Sequence, residues 1–195
     1  RNMGADASAT EQRSLPEVAV SLFAKAGYDI VMPEKVEGLC CGMPFNSKGF
    51  ADIAQQKGQE LLTSLKAISK DGTYPIVFDT SPCKLRLAEL GHTLPIYETT
   101  QFMAKFALDK LTITPTQVPV ALHITCSSQK MGLSSDLRQV ANACATQVIE
   151  PEGIQCCGFA GDKGMTVPEL NASALSTLKA QIPNNCKTGY SNSRT

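Results

Sequence analysis

Several features are missing from this 195-residue sequence, and each gap closes off a class of function. Lys plus Arg equal Asp plus Glu at 18 each, so no excess of positive charge is available to hold a phosphate backbone or an anionic membrane surface. That balance argues against a nucleic-acid partner. No apolar run approaches the roughly 18 residues of a membrane span, and the polar start over 1–10 has no signal-peptide core. The expected location is cytoplasmic, or peripheral at the cytosolic face of a membrane. Arg1 is not an initiator Met, which points to a processed product or a piece of a longer chain. No G-x-G-x-x-G, Walker loop, G-x-S-x-G or H-E-x-x-H occurs, so neither a dinucleotide fold nor a common hydrolase centre is signalled.

What is present is sulfur in a pattern. Eight cysteines are many for a cytosolic chain, yet far below the density of a disulfide scaffold, and this favours metal or redox use. Cys40-Cys41-Gly42 is answered by Cys156-Cys157-Gly158, and each is followed by a Lys-Gly step, Lys48-Gly49 and Lys163-Gly164. Adjacent cysteines make a poor disulfide, because the bridge closes a tight ring far from ordinary geometry. Two thiolates side by side repel each other, and a cation or an iron-sulfur cluster removes that penalty.

Hydrophobic residues, 43% of the chain, are arranged in alternating helical and strand patterns. Ser14-Leu15-Pro16-Glu17 is a capping box opening a helix over 14–26 that Gly27 ends. A short strand is predicted over 28–32, and a helix over 47–69 capped by Asn46 or Ser47. The apolar run 75–79 is a buried strand leading into Ser81-Pro82-Cys83. A helix over 99–110, with Phe102, Met103, Phe106 and Ala107 inward, and a Pro/Thr-rich connector over 112–119 follow. The second half offers a strand over 120–125 ending at Cys126, a helix over 136–146 and a strand at 148–149. After the second Cys-Cys-Gly comes a capping box, Thr166-Val167-Pro168-Glu169, whose helix buries Leu170, Ala174, Leu175, Leu178 and Ile182. The closing 189–195 mirrors the strand and turn before Cys83. Strand, helix, strand, Cys-Cys-Gly, helix, strand is thus used twice, with the opening strand missing from the first half. The fold class is α/β: two pseudo-symmetric α/β halves, 1–112 and 113–195, each with a short mostly parallel sheet flanked by helices.

Strand ends and Cys-Cys-Gly turns share one edge of such a sheet, so Cys40, Cys41 and Cys83 can meet in the first half, and Cys126, Cys156 and Cys157 in the second. The Gly-rich turns precede helix N-termini that offer free N–H groups to an anionic cluster, and Lys48 and Lys163 add positive charge. Three or four thiolates suit zinc as readily as iron, so a zinc site or a zinc-stabilised or metal-free docking domain stays open beside the cluster, as does thiol-disulfide chemistry at the Cys-Cys pairs. Cys144 falls on an apolar helix face and is expected in the core. Cys186 reads as a bystander and His123 as a buried structural imidazole, its place three residues before Cys126 leaving open a role in supporting that ligand.

The repeated Cys-Cys-Gly, the cysteines about 35 to 40 residues downstream and His123-Ile124-Thr125-Cys126 resemble the cysteine-rich CCG domain. That domain occurs in heterodisulfide reductases, in the iron-sulfur component of glycolate oxidase and in lactate-utilisation proteins. Cys40-Cys41-Gly42-Met43-Pro44-Phe45, Ser81-Pro82-Cys83, the run Cys156 to Gly164 and the closing Gly189-Tyr190-Ser191-Asn192-Ser193-Arg194-Thr195 are similar to the C-terminal region of FAD- and iron-sulfur-dependent D-lactate dehydrogenases. The resemblance implies a 4Fe–4S-type cluster, cubane or non-cubane, in each half. It also implies flavin and ferredoxin-like domains elsewhere in a parent chain, where FAD oxidises the 2-hydroxy acid, and electron relay to an acceptor. Thr80 and Ser193 stand where the family's C-x-x-C places its first cysteine, and the pattern puts further cysteines just outside Arg1 and Thr195, so each site keeps three of four thiolates. The segment by itself is expected to hold its clusters poorly, with the clusters absent or incomplete.

Overall fold

A computed structural model describes residues 13–33, 38–159 and 161–192. The expectations for 1–10 and for the last turn at 193–195 lie outside the described residues. The capping box forms as expected at α1 (Leu15–Lys25). The Ser14 amide donates to a Glu17 carboxylate oxygen at 2.6 Å, and the Glu17 amide donates to Ser14 Oγ. These bonds satisfy amides that the first helical turn leaves without partners. Residues 28–33 form no strand. Val31 and Met32 are 69% and 60% exposed, and Tyr28 turns instead into an aromatic group, its ring edge-on to Phe102 and its hydroxyl donating to the Phe106 carbonyl at 2.7 Å.

The helix expected over 47–69 is two helices. α2 (Met43–Ser47) begins with Pro44 in its first turn, and α3 (Ala51–Ile68) is preceded by Phe50, not capped by Asn46 or Ser47. The break falls at Gly49, whose φ of +86° is the left-handed conformation that stops a helix. β1 (Ile76–Phe78) leads into α4 (Ser81–Leu90), which carries Cys83 in its first turn. A strand that the apolar pattern did not announce, β2 (Ile96–Glu98), pairs parallel with β1. Glu98 is 1% exposed and caps α5 (Thr99–Phe102), accepting hydrogen bonds from the amides of Thr100 and Gln101 at 2.8 and 3.2 Å. The regular helix expected to 110 widens into a π turn over 103–107 and closes as a 3₁₀ turn over 108–110. Phe102, Met103 and Ala107 are buried, whereas Phe106 is 40% exposed and packs edge-on against Tyr97.

The second half follows the predicted order. β3 (Val120–His123) runs into α6 (Cys126–Lys130), α7 (Ser134–Cys144) follows, and β4 (Val148–Ile149) returns parallel to β3. After α8 (Lys163–Thr166), α9 (Pro168–Ala174) and α10 (Leu178–Gln181), β5 (Thr188–Ser191) adds parallel on the other side of β3. The sheets are β1-β2 and β4-β3-β5. The α/β class is therefore realised as two short parallel sheets flanked by helices.

The expected capping box at Thr166 does not form. Thr166 belongs to α8, its hydroxyl donates to the Lys163 carbonyl, and α9 starts after Val167 with no side-chain cap. The helix is also interrupted after Ala174, and none of its expected core residues is buried: Leu170 is 41% exposed, and Ala174, Leu175, Leu178 and Ile182 are half-buried. Cys144 ends α7 on the surface and not in the core as expected, while Cys186 is buried.

Two apolar clusters belong to single halves: Cys41, Leu61, Leu62, Leu65, Leu87 and Ile96 in the first, and Leu122, Ile124, Leu133 and Leu137 in the second. A third, Phe23, Ala26, Phe102, Met103 and Ala107, also receives Val140 of α7. The halves therefore share packed surface.

Candidate metal centre

In the first half the chain folds to bring two distant thiols together. Gly42 takes φ +84°, and a side chain there would strike the backbone at Ala54. Only glycine lets the Cys-Cys turn lie flat on the start of α3. The turn buries Cys41, 3% exposed, and β1 delivers Cys83 at the start of α4. The Cys41 and Cys83 sulfurs are joined by a hydrogen bond of 2.9 Å. The Cys83 thiol beside it stabilises the Cys41 thiolate, and this outweighs the effect of burial, so the Cys41 pKa is lowered to about 6. The same bond, burial and the neighbouring negative charges push the Cys83 thiol well up, so one proton stays with the pair on Cys83. Cys40 is half-buried, and its sulfur accepts the Gly42 amide at 3.4 Å.

The second half repeats the turn. Gly158 takes φ +78°, and a side chain there would collide with the backbone of Leu170 and Asn171 in α9. The Gly158 amide donates to Cys156 Sγ at 3.3 Å, and the Asn171 side chain donates to the Cys157 carbonyl at 2.8 Å. Here the sulfurs are more open: Cys126 and Cys156 are exposed and Cys157 is half-buried. His123 is half-buried, more open than the buried imidazole expected. Its Nδ1 lies 3.0 Å from Ser191 Oγ, while its buried Nε2 has no partner. It shares with Cys157 the wall of a largely apolar cavity of about 220 Å³.

Among the described residues no three His, Cys, Asp or Glu side chains stand together as a ready metal site. The donor chemistry nevertheless fits a thiophilic group in the first half. Two sulfurs are in contact and a third receives an amide N–H, the kind of bond that supports a sulfur-ligated cluster.

The two lysines of the glycine-rich turns both neighbour one carboxylate. Lys48 pairs with Asp162 of the opposite loop, its Nζ 2.8 and 3.0 Å from the two carboxylate oxygens. This exposed pair joins the two Cys-Cys-Gly loops. Lys163 is the first residue of α8, and its charge helps hold the Asp162 carboxyl low, after the larger effect of Lys48. The cation that reaches the first thiol pair from the interior is Arg86, 8% exposed on α4, whose charge also favours the Cys41 thiolate. It lies one turn after Cys83, a spacing that could have revealed it.

Behind the thiols, the starts of α4 and α6 meet through hydroxyls. Ser81 Oγ lies 2.7 Å from Ser127 Oγ and 3.3 Å from Thr125 Oγ1. Thr125 also caps α6, and Asn192 donates to Ser128 Oγ at 2.5 Å. Ser81 and Ser128 have no exposed surface. These residues flank Cys83 and Cys126, and their polar character directly after apolar strands was the available signal.

The family model for CCG, described as a cysteine-rich domain, matches residues 5–88 and 120–188, one match over each Cys-Cys-Gly turn. The chain belongs to the CCG family of cysteine-rich domains. CCG domains are found in iron-sulfur electron-transfer proteins, which agrees with the sulfur contact of the first half. No solved structure matches the chain. The two CCG matches coincide with the two flat glycine turns, at Gly42 and Gly158, so the duplicated motif is also a duplicated backbone geometry. No helix among the described residues is long and apolar enough to cross a membrane.

Proposed function

We propose that this chain is the iron-sulfur electron-transfer region of a flavin-dependent 2-hydroxy acid dehydrogenase of the D-lactate type. Cys40, Cys41 and Cys83 hold one 4Fe–4S-type cluster, and Cys126, Cys156 and Cys157 hold another, in halves divided near residue 112. When bound, such clusters supply one-electron carriers between a flavin and an acceptor. The chain's own residues prepare the sites. The Gly42 and Gly158 amides donate to sulfur, Arg86 adds buried positive charge, and Lys48 with Asp162 keeps the two loops side by side. FAD and the substrate site belong to the flavin domain of a parent chain, with a ferredoxin-like domain as the second partner.

The supporting observation is the 2.9 Å approach of Cys41 and Cys83, two residues 42 positions apart that pack on the first core cluster. Visible absorption of the anaerobically prepared parent protein tests the reading. A broad charge-transfer band that bleaches on reduction with dithionite, and is lost with cysteine substitutions in this region, is expected. A colourless region holding stoichiometric zinc would establish a zinc-stabilised docking domain instead.

A further inference from the structure

The contact between Cys41 and Cys83 supports a second chemistry that does not depend on which metal the chain carries. Their sulfurs are 2.9 Å apart, closer than unbonded sulfurs ordinarily approach, and a small displacement separates them from the ~2.05 Å of a disulfide. The pair lies between the Cys-Cys-Gly turn and the first turn of α4, elements that pack on one core cluster. The fold therefore already holds the two sulfurs within reach of each other. Cys40 and Cys41, in contrast, are sequence neighbours, and a bridge between them would have to distort the turn that Gly42 holds against Ala54.

We infer that Cys41 and Cys83 are a redox modification site, closing to a reversible disulfide in the metal-free chain with hydrogen peroxide as oxidant. The Cys41 thiolate attacks one peroxide oxygen and the O–O bond breaks. Cys41 becomes a sulfenic acid, and the departing hydroxide takes up a proton as water. The Cys83 sulfur then attacks the Cys41 sulfur, the S–O bond breaks, and the released hydroxide leaves as water with the Cys83 proton. Two thiols and one peroxide give one disulfide and two waters. Cys41 is 3% exposed, which admits a small peroxide more readily than a bulky disulfide and protects the sulfenic acid from further oxidants until Cys83 traps it. The bridge occupies two of the three sulfurs of the first half, so an oxidised chain does not load metal there until it is reduced.

The test uses the full chain, stripped of metal with a chelator, reduced, and exposed to one equivalent of hydrogen peroxide. The wild type is expected to lose two of its eight thiols, to give a peptide map joining the Cys41 and Cys83 fragments, and to recover both thiols with dithiothreitol. Cys40→Ser is expected to keep this linkage. Cys83→Ser, checked for folding by circular dichroism, is expected to accumulate sulfinic acid on Cys41. A Cys40–Cys41 linkage, a bridge between other cysteines, sulfinic acid on Cys41 of the wild type, or eight surviving thiols would each overturn the inference. Because the protein is metal-free throughout, these results are independent of whether the native centre holds iron or zinc.

Discussion

Gly42 and Gly158 occupy the same place in the two halves, each at positive φ and each leaving no room for a β-carbon against the backbone of a later helix, at Ala54 of α3 in one and Leu170 of α9 in the other. Both hold a Cys-Cys pair against that helix and aim an amide at the sulfur two residues back. The duplicated chemistry is built on this backbone contact.

Substituting either glycine tests the contact. Gly42→Ala and Gly158→Ala each introduce a left-handed alanine and a steric overlap with backbone, and should destabilise the protein by about 2 kcal/mol or more. Gly27→Ala shares the positive φ, +84°, but meets nothing within 4 Å. It should cost about 1 kcal/mol. Urea denaturation of the three variants measures the difference, and equal losses would show that the close approach does not matter.

The hydroxyl cluster between the halves gives a second expectation. Ser81→Ala removes a buried hydroxyl that contacts both Ser127 and Thr125, and should cost about 1–2 kcal/mol by leaving buried partners short of a bond. A double-mutant cycle with Ser127→Ala should return a coupling of about 1 kcal/mol. Additive losses would mean that the two helix starts are not coupled through these side chains.

Much of this arrangement was legible in the sequence, for identifiable reasons. The Cys-Cys-Gly repeat, the apolar strands at 75–79 and 120–125 and the Ser14 capping box are local signals, and local geometry honours them. The strand expected over 28–32 fails because strand formation needs a neighbour, and Tyr28 is engaged by Phe102 instead. β2 carries only three residues, with the charged Glu98 among them, and its role as the cap of α5 appears only once α5 is in place. The same limit hid the partner of Lys48. Asp162 lies 114 residues away, and no periodicity reports an ion pair across two loops. Cys144 misled because the apolar face of α7 runs out at its last residue.

The imidazole of His123 gives a pH dependence. Burial lowers its pKa below the usual 6.5, so the unfolded chain takes up a proton before the folded one does. Stability is therefore full above about pH 6.5 and falls as the pH drops toward the lower native value. Denaturation midpoints of wild type and His123→Asn between pH 7.5 and 5 should converge as the pH falls, because the variant lacks this term. Parallel curves would contradict the burial of a neutral imidazole.

Iron and acid-labile sulfide per chain, measured on anaerobically prepared full-length protein beside a Cys41→Ser/Cys83→Ser variant, test the central claim most directly. The account predicts iron with matching sulfide in the wild type and loss of about half of both in the variant, since one of two centres is removed. Zinc without sulfide, or a variant that keeps its full iron and sulfide, would contradict it.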